Sequence, residues 1–385
     1  GTSEIRRMLI GRELFEETGL WLANRAPQGD LHAARVAVNA GERGFDSLLG
    51  DDLRLQTERL TFAGLGGNPR GLYDTPRRNY MPRLGFAYKR KNSWAERALY
   101  RGSSLLGPEG VAAYGAAVER ALDAVQEAGS VGRDIAAIDV IDRTDPWHPL
   151  VAHLFALITS GTPAEVSTLD SVRYRQTEED FPVEAGYGAL IAANAKDVEV
   201  ELSTPVTRID WSGKGVRLET ARGSIHARAA IVAASTSVLA AGGIRFVPDL
   251  PATLGEAIEA CRLGCAEKIA FHLDAPLEGI KPGSFLSFMD EGDNPLHPLN
   301  CYVNVFGRPL LLAHTGGASG RELHLAGEAT AIAYGTEVLT KCLGSGFRKR
   351  IRGATATGWV ADPYIRGGYS FARPGKADLR RRLAE

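Results

Sequence analysis

The segments Val198-Glu-Val-Glu-Leu202, Val206-Thr-Arg-Ile209, Val216-Arg-Leu-Glu-Thr220, Ile225-His-Ala-Arg-Ala229 and Ala230-Ile-Val-Ala-Ala234 set the class of this protein. The first four alternate apolar with polar residues, the period of a strand with one buried face. The fifth is apolar throughout, as a strand covered on both faces would be. Together they predict a hairpin ribbon feeding a buried strand. Before them the period is helical. From Ser93 to Ala128 the residues Ala95, Leu99, Leu105, Leu106, Val111, Tyr114, Val118, Leu122 and Val125 recur mostly at spacings of three and four. Pro108 opens the second helix of that stretch where proline is tolerated. Another helix over about 149–160 ends at Gly161, Thr162 and Pro163, so 93–180 reads as mostly helix. After the ribbon come a β-rich segment at about 264–315, a helix at about 320–343 and a closing stretch of aromatics, glycine and arginine. The chain is therefore α/β.

Its 385 residues predict about two domains at roughly 100–200 residues each. The composition, 44% hydrophobic and 24% charged, excludes a disordered chain and a membrane bundle. With 45 basic and 46 acidic residues, net charge is −1, so no overall field draws in nucleic acid or anionic lipid. A small neutral or amphipathic partner fits better. Four cysteines, Cys261, Cys265, Cys301 and Cys342, are too few for a disulfide scaffold, which makes a reducing, cytoplasmic compartment the expectation. No apolar run approaches the length of a membrane span. The sequence starts Gly1-Thr2-Ser3, as a processed, tagged or partial chain would.

Several motifs fail on inspection. Gly64-x-Gly66 has Pro69 where a dinucleotide loop needs its third glycine, and reads as a surface loop. Gly316-Gly317-Ala-Ser-Gly320 reads as an ordinary helix start that could offer N–H groups to an anion. The eight histidines have no metal-ligand spacing, His148 and His153 included, and no Gly-x-Ser-x-Gly elbow is present. The basic runs at 89–91, 348–350 and 380–382 read as solvated faces.

Two stretches are more informative. Ile244-Arg-Phe-Val-Pro-Asp-Leu-Pro251 precedes a helix at about 252–261 and then Leu263-Gly264-Cys-Ala-Glu-Lys268-Ile-Ala-Phe271. This sets one lysine near the start of an apolar strand, where burying an ammonium is costly unless compensated. Spacing alone favours a lysine snorkelling at a strand edge. In Gly358-Trp359-Val-Ala-Asp-Pro-Tyr364-Ile-Arg-Gly367-Gly368-Tyr369-Ser370, three large aromatics accompany a glycine pair that lets backbone approach closely. A plain aromatic core or a flat ligand against Trp359 and Tyr369 would each explain that composition.

These blocks, with Val183-Glu-Ala-Gly-Tyr-Gly-Ala-Leu190, Pro205-Val206-Thr-Arg-Ile209 and Ala230–Ala234, resemble in order and spacing the flavin-containing amine oxidase family. Glu17–Leu22 is similar to the segment after the family's first flavin-binding unit, and Ile10-Gly11-Arg12 to the tail of its Gly-Gly-Arg motif. Gly1–Leu14 also resembles the C-terminal segment of acyl-CoA dehydrogenases, but nothing after Leu14 continues that likeness. The amine oxidase resemblance implies a two-domain fold in which an incomplete Rossmann-like FAD domain (1–45, 183–243, 355–385) interleaves with a mixed helix and sheet substrate domain (46–182, 244–354).

It also implies roles. Lys268 matches the lysine that holds a water against flavin N5. Trp359 and Tyr369 match aromatics against the isoalloxazine, with Tyr369 and Tyr364 in the substrate pocket. Val206 matches a position whose backbone contacts the adenine end of FAD, and Gly11 and Arg12 fall in the cofactor-binding segment. The implied reaction is oxidation of an amine or amino acid to an imine, with dioxygen as acceptor and hydrogen peroxide released. The implied partners are thus a small-molecule amine and dioxygen, without nucleic acid, membrane or metal. An α-amino acid would need a carboxylate partner, for which Arg83 and Arg90 are candidates. Oligomeric state stays open, a homodimer being the commonest closed assembly.

The sequence departs from the family at three places. The opening Gly-x-Gly-x-x-Gly unit is absent, and the closing Ala-Gly-Glu block does not follow Tyr369 before Glu385. Leu325-Ala-Gly-Glu-Ala-Thr330 spells that block but precedes Trp359, so its position makes it a coincidence. Gly368 stands where monoamine oxidases attach flavin through a cysteine, which implies non-covalent FAD. The alternatives are a non-catalytic or partner-dependent member and a sister flavin desaturase or porphyrinogen-type oxidase.

Overall fold

The computed structural model describes residues 97–384, apart from 175–182, 196, 197, 199 and 292–294. Gly11, Arg12, Arg83, Arg90 and the Gly64–Pro69 loop lie outside the described residues. The chain enters through the hairpin β1 (Ala98–Arg101) and β2 (Ser104–Leu105), then the helices α1 (Pro108–Ser130), α2 (His148–Thr159), α3 (Thr168–Arg173) and α4 (Tyr187–Asn194). The ribbon follows as β3 (Val206–Asp210), β4 (Val216–Thr220) and β5 (Gly223–Ala227), then α5 (Thr236–Ala240), β6 (Arg245–Val247) and α6 (Ala252–Ala260). The main sheet is completed by β7 (Ala266–Leu273), β8 (Phe285–Met289), β9 (Leu299–Val303) and β10 (Leu310–Gly316). Helices α7 (Gly317–Leu325), α8 (Glu328–Leu343) and α9 (Phe347–Arg350), strand β11 (Ile351–Ala356) and a final helical run, Ala377–Ala384, close the described chain.

The strands form two sheets, a seven-stranded one in the order β11-β7-β10-β9-β8-β1-β2 and a four-stranded one in the order β5-β4-β3-β6. The large sheet is antiparallel except where β1 runs parallel to β8. Strand alternation gives it two different faces. Ile269, Phe271, Leu286, Phe288, Leu299, Cys301, Leu311 and Ala313 point to one side, where α8 supplies Ala331, Val338, Leu339 and Cys342. Each fully buried Val, Leu, Ile or Phe among them contributes about 1.5–3 kcal/mol. Gly335 lets α8 come this close, since a Cβ there would sit 2.9 Å from the Phe271 ring.

On the other side α1 and α2 cover part of the sheet through Tyr114, Val118, Leu150, Leu154 and Phe155, packed with Leu99, Trp147 and Met289. The α1 stripe Val111, Tyr114, Val118, Ala121, Val125 and Ala128 keeps the spacing of three and four read from the sequence. Pro108 begins that helix as expected. Ser160 ends α2 in the left-handed region at φ 65°, so the chain turns sharply before Gly161.

Four expectations are corrected. Residues 98–105 are a hairpin, not helix, because Leu99 is taken into the sheet beside β8 and Gly102, at φ 57°, makes the turn. The described residues of 198–202 form no strand, and Val198, Val200 and Leu202 are exposed. Ala230–Ala234 pairs with no described strand, leaving Ile231 and Val232 exposed: apolar composition marks a strand only where a sheet stands beside it to satisfy its backbone. The single helix expected at 320–343 is two helices, broken at Gly327 with φ 105°. The misleading Ala326-Gly327-Glu328 is that break, and the Glu328 carboxylate accepts from Thr355 Oγ1 at 2.7 Å and Ala356 N at 3.0 Å.

Candidate active site

Lys268 lies on β7 with its side chain on the face opposite α8, beside half-buried Ala270. Cross-strand register carries that face across the sheet: Lys268 pairs with His314, His314 with Asn300 and Asn300 with Ser287. The next row is Ala270, Leu312, Tyr302 and Phe285, all half-buried, and the Phe285 and Tyr302 rings stand 5.2 Å apart. A polar row and an apolar, partly open row thus run side by side over four strands. Such a surface grips an apolar body and orients it through few polar groups.

At the Lys268 end the polar row meets Trp359, whose ring centroid is 6.0 Å from Nζ. Among the described residues no carboxylate or carbonyl lies within ion-pair or hydrogen-bond distance of that amine. Burial pushes the Lys268 pKa down, and the nearby Glu267 charge opposes this more weakly. Glu267 itself is 1% exposed on the other face. There it accepts from Val360 N at 2.7 Å and from Thr357 Oγ1, while Thr357 Oγ1 accepts from Lys268 N at 2.8 Å. His324 Nδ1 donates to Thr357 O at 2.8 Å, its other ring nitrogen meeting Thr315 Oγ1 at 2.8 Å. Both flanks of Trp359 are therefore tied to β7 and α7 by buried groups.

The glycine pair has a specific neighbour. Gly368 N donates to Gly264 O and Gly264 N to Tyr369 O, each at 2.9 Å. A Cβ at Gly367 would meet Gly264 O at 2.5 Å, and one at Gly264 would meet Ser160 O at 2.1 Å. What the glycines admit is the chain's own 263–266 backbone. This close stitching holds the Tyr369 segment against the start of β7. Tyr369 is buried, and its hydroxyl donates to Leu157 O at the end of α2. The structure thus brings Lys268 and Trp359 together and sets the Tyr369 backbone against the strand that carries Lys268. Tyr364 is 61% exposed, and Val206 opens β3 in the other sheet.

Sequence reasoning missed Arg97, Ser287, Asn300, His314, Glu267 and His324. For His314 the signal was present, a lone polar residue in phase with Leu310 and Leu312, but its meaning depends on the strand beside it. His314 and His153, on α2, are buried close together. Burial pushes their pKa values down to about 3 and about 4, with Lys268 lowering His314 further, so both rings are neutral near pH 7.

A flat ring system with acceptor edges, such as a flavin, fits the Lys268 and Trp359 pair: one supplies a donor without an acceptor among the described residues, the other a half-buried plane. The chain is 28% identical to polyamine oxidase 4 of Oryza sativa subsp. japonica over 52% of this chain and 40% of that protein. It is 26% identical to lysine-specific histone demethylase 2 of Homo sapiens over 49% and 24%. It spans less than half the length of the curated relatives it matches. Cyclohexylamine oxidase from Brevibacterium oxydans shares the fold at a TM-score of 0.51 and 20% identity, covering 71% of this chain and 65% of that one. Residues 86–385 match the family described as flavin containing amine oxidoreductase, and the chain belongs to that family.

Proposed function

We propose that the protein oxidises a small amine or amino acid to an imine with non-covalent FAD, dioxygen taking the electrons and leaving as hydrogen peroxide. The observation that carries this is the half-buried Lys268 amine beside the Trp359 ring, on the face of the sheet that carries the open apolar row. Flavin, when bound, supplies the two-electron chemistry by accepting a hydride from the carbon bearing the amine. Lys268 holds a water or acceptor edge at that point, with burial lowering its pKa and the Glu267 charge opposing this more weakly. Trp359 gives a flat wall, fixed from behind by Glu267. Tyr369, with its hydroxyl committed to Leu157, presents its ring, and Tyr364 closes the solvent side. Ala270, Leu312, Tyr302 and Phe285 exclude water from the substrate's apolar part. Gly368, where a covalent link would need cysteine, makes the flavin exchangeable. The reading includes the adenine contact at Val206, cofactor contacts from Gly11 and Arg12, the interleaved division of the chain and a cytoplasmic setting.

The test is the visible spectrum of the purified protein with added FAD, before and after denaturation and filtration, followed by anaerobic mixing with amines. Flavin that binds, is bleached by an amine and passes the filter supports the reading. A chain that takes up no FAD sinks it and favours a non-catalytic or partner-dependent member.

A further inference from the structure

The far end of the polar row has a chemistry that the amine reaction does not use. Arg97, 9% exposed, donates through Nη1 to Asn300 Oδ1 at 3.1 Å and to Ser287 Oγ, and Ser287 Oγ donates to the same Asn300 oxygen. Its guanidinium stands 5.0 Å from the Phe285 ring centroid and 5.8 Å from that of Tyr114. A guanidinium only donates, so Asn300 must turn its oxygen toward Arg97 and its amide N–H₂ the other way. That Nδ2, on a side chain 0% exposed, has no hydrogen-bond partner among the described residues. A buried donor left this way is costly and points to a group not yet counted.

We propose that Asn300 and Arg97 form a donor subsite that reads a carboxylate at the far end of the substrate, so that the preferred amine carries an acid group at a distance. This rests on the amine-oxidising reading of the Lys268 end and deepens it. Two strand spacings separate Lys268 from Asn300, roughly 10 Å. The substrate is then an ω-aminocarboxylate lying along Ala270, Leu312 and Tyr302, with its amine at Lys268 and Trp359. A polycation is disfavoured, because the row offers it donors and a guanidinium. Asn300 is a specificity residue, with no part in the bond-breaking step.

The test does not need turnover. The full chain, with FAD added, is titrated by calorimetry with caproate and with n-hexanol. Caproate should bind at least about tenfold more tightly, the scale of one charge-assisted contact. Asn300→Asp keeps the bonds to Arg97 and Ser287 but replaces the donor with a carboxylate, and should abolish that preference. If that variant does not fold, Arg97→Gln should do the same. Equal binding of the two ligands by the wild type, as when the subsite holds only an ordered water, overturns the proposal. So does a caproate preference that survives the substitution. Oxidation of n-hexylamine as efficiently as ε-aminocaproate would remove the subsite and leave the oxidase. Absence of any amine oxidation would sink the oxidase while the caproate titration still decides the subsite.

Discussion

Glu267 and Lys268 are consecutive on β7 and serve opposite faces of the sheet. The carboxylate is sealed under the Trp359 loop, and the amine stands beside the Trp359 ring. Alternation along a strand forbids two neighbours from forming a contact pair. Glu267 therefore steadies Lys268 only through space, while its hydrogen bonds go to the backbone that presents Trp359. One dipeptide thus sets the charge at the site and the wall opposite it.

Removing the amine separates its chemical role from its cost to the fold. Lys268→Met should slow flavin reduction or reoxidation in rapid mixing while FAD stays bound. It should also raise Tm at pH 7 by a few degrees. The sign follows from the lowered pKa. Below the folded value both states are protonated and the fold carries the whole cost of the buried charge, which is lost as pH climbs through the usual 10.5. The Tm advantage should shrink over that window; an advantage that grows with pH would refute the account.

Glu267→Gln keeps shape but gives up one acceptor. One of Val360 N and Thr357 Oγ1 would face an amide N–H₂, and a buried donor left unmade costs about 1–3 kcal/mol. Urea unfolding should show that loss. An unchanged midpoint would mean that the carboxylate is not what holds the loop.

The neutral histidines predict an acid limb. Between the usual value of 6.5 and the folded values of about 3 and about 4, the unfolded chain binds protons that the fold refuses. Stability should therefore fall with pH across that range, each ring adding up to about 1.4 kcal/mol per pH unit. His314→Gln should flatten this dependence between pH 6 and pH 4. A parallel curve for the variant would show that His314 is not buried neutral.

Asp170 takes a two-pronged bond from Arg380, at 2.6 Å and 2.8 Å, and accepts from Ala372 N at 2.7 Å. Both side chains are buried, and Arg380 also donates to Ser370 Oγ at 3.0 Å, so the pair clamps the segment after Tyr369 to α3. Asp170→Asn removes the carboxylate charge facing the buried guanidinium and should cost about 3–5 kcal/mol in equilibrium unfolding. A loss below the scale of a surface ion pair would contradict the clamp.

How much of this was legible varies with the range of the forces involved. Pro108 starts α1, the alternation at 206–227 yields β3 to β5, and Lys268 sits on an apolar strand, each read from a few adjacent residues. The 98–105 hairpin was misread because the spacing of Leu99, Leu105 and Leu106 suits a helix when β8 is unknown. The basic run at 380–382 looked like a solvated face, yet Arg380 is buried because Asp170 waits 210 positions away.

Local pattern is written in the chain because propensity and period act between neighbours. That is why α/β class, the ribbon and the block containing Lys268 followed from composition and spacing. The polar row of Lys268, His314, Asn300 and Ser287, with Arg97 against it, exists only after four strands are set in register. Arg97 lies 190 residues from Ser287 and 203 from Asn300, and no periodicity spans such a gap. Which polar side chains end up buried, which face they share and which donors remain over were settled by packing, because burial and hydrogen bonding depend on what the folded chain brings next to each group.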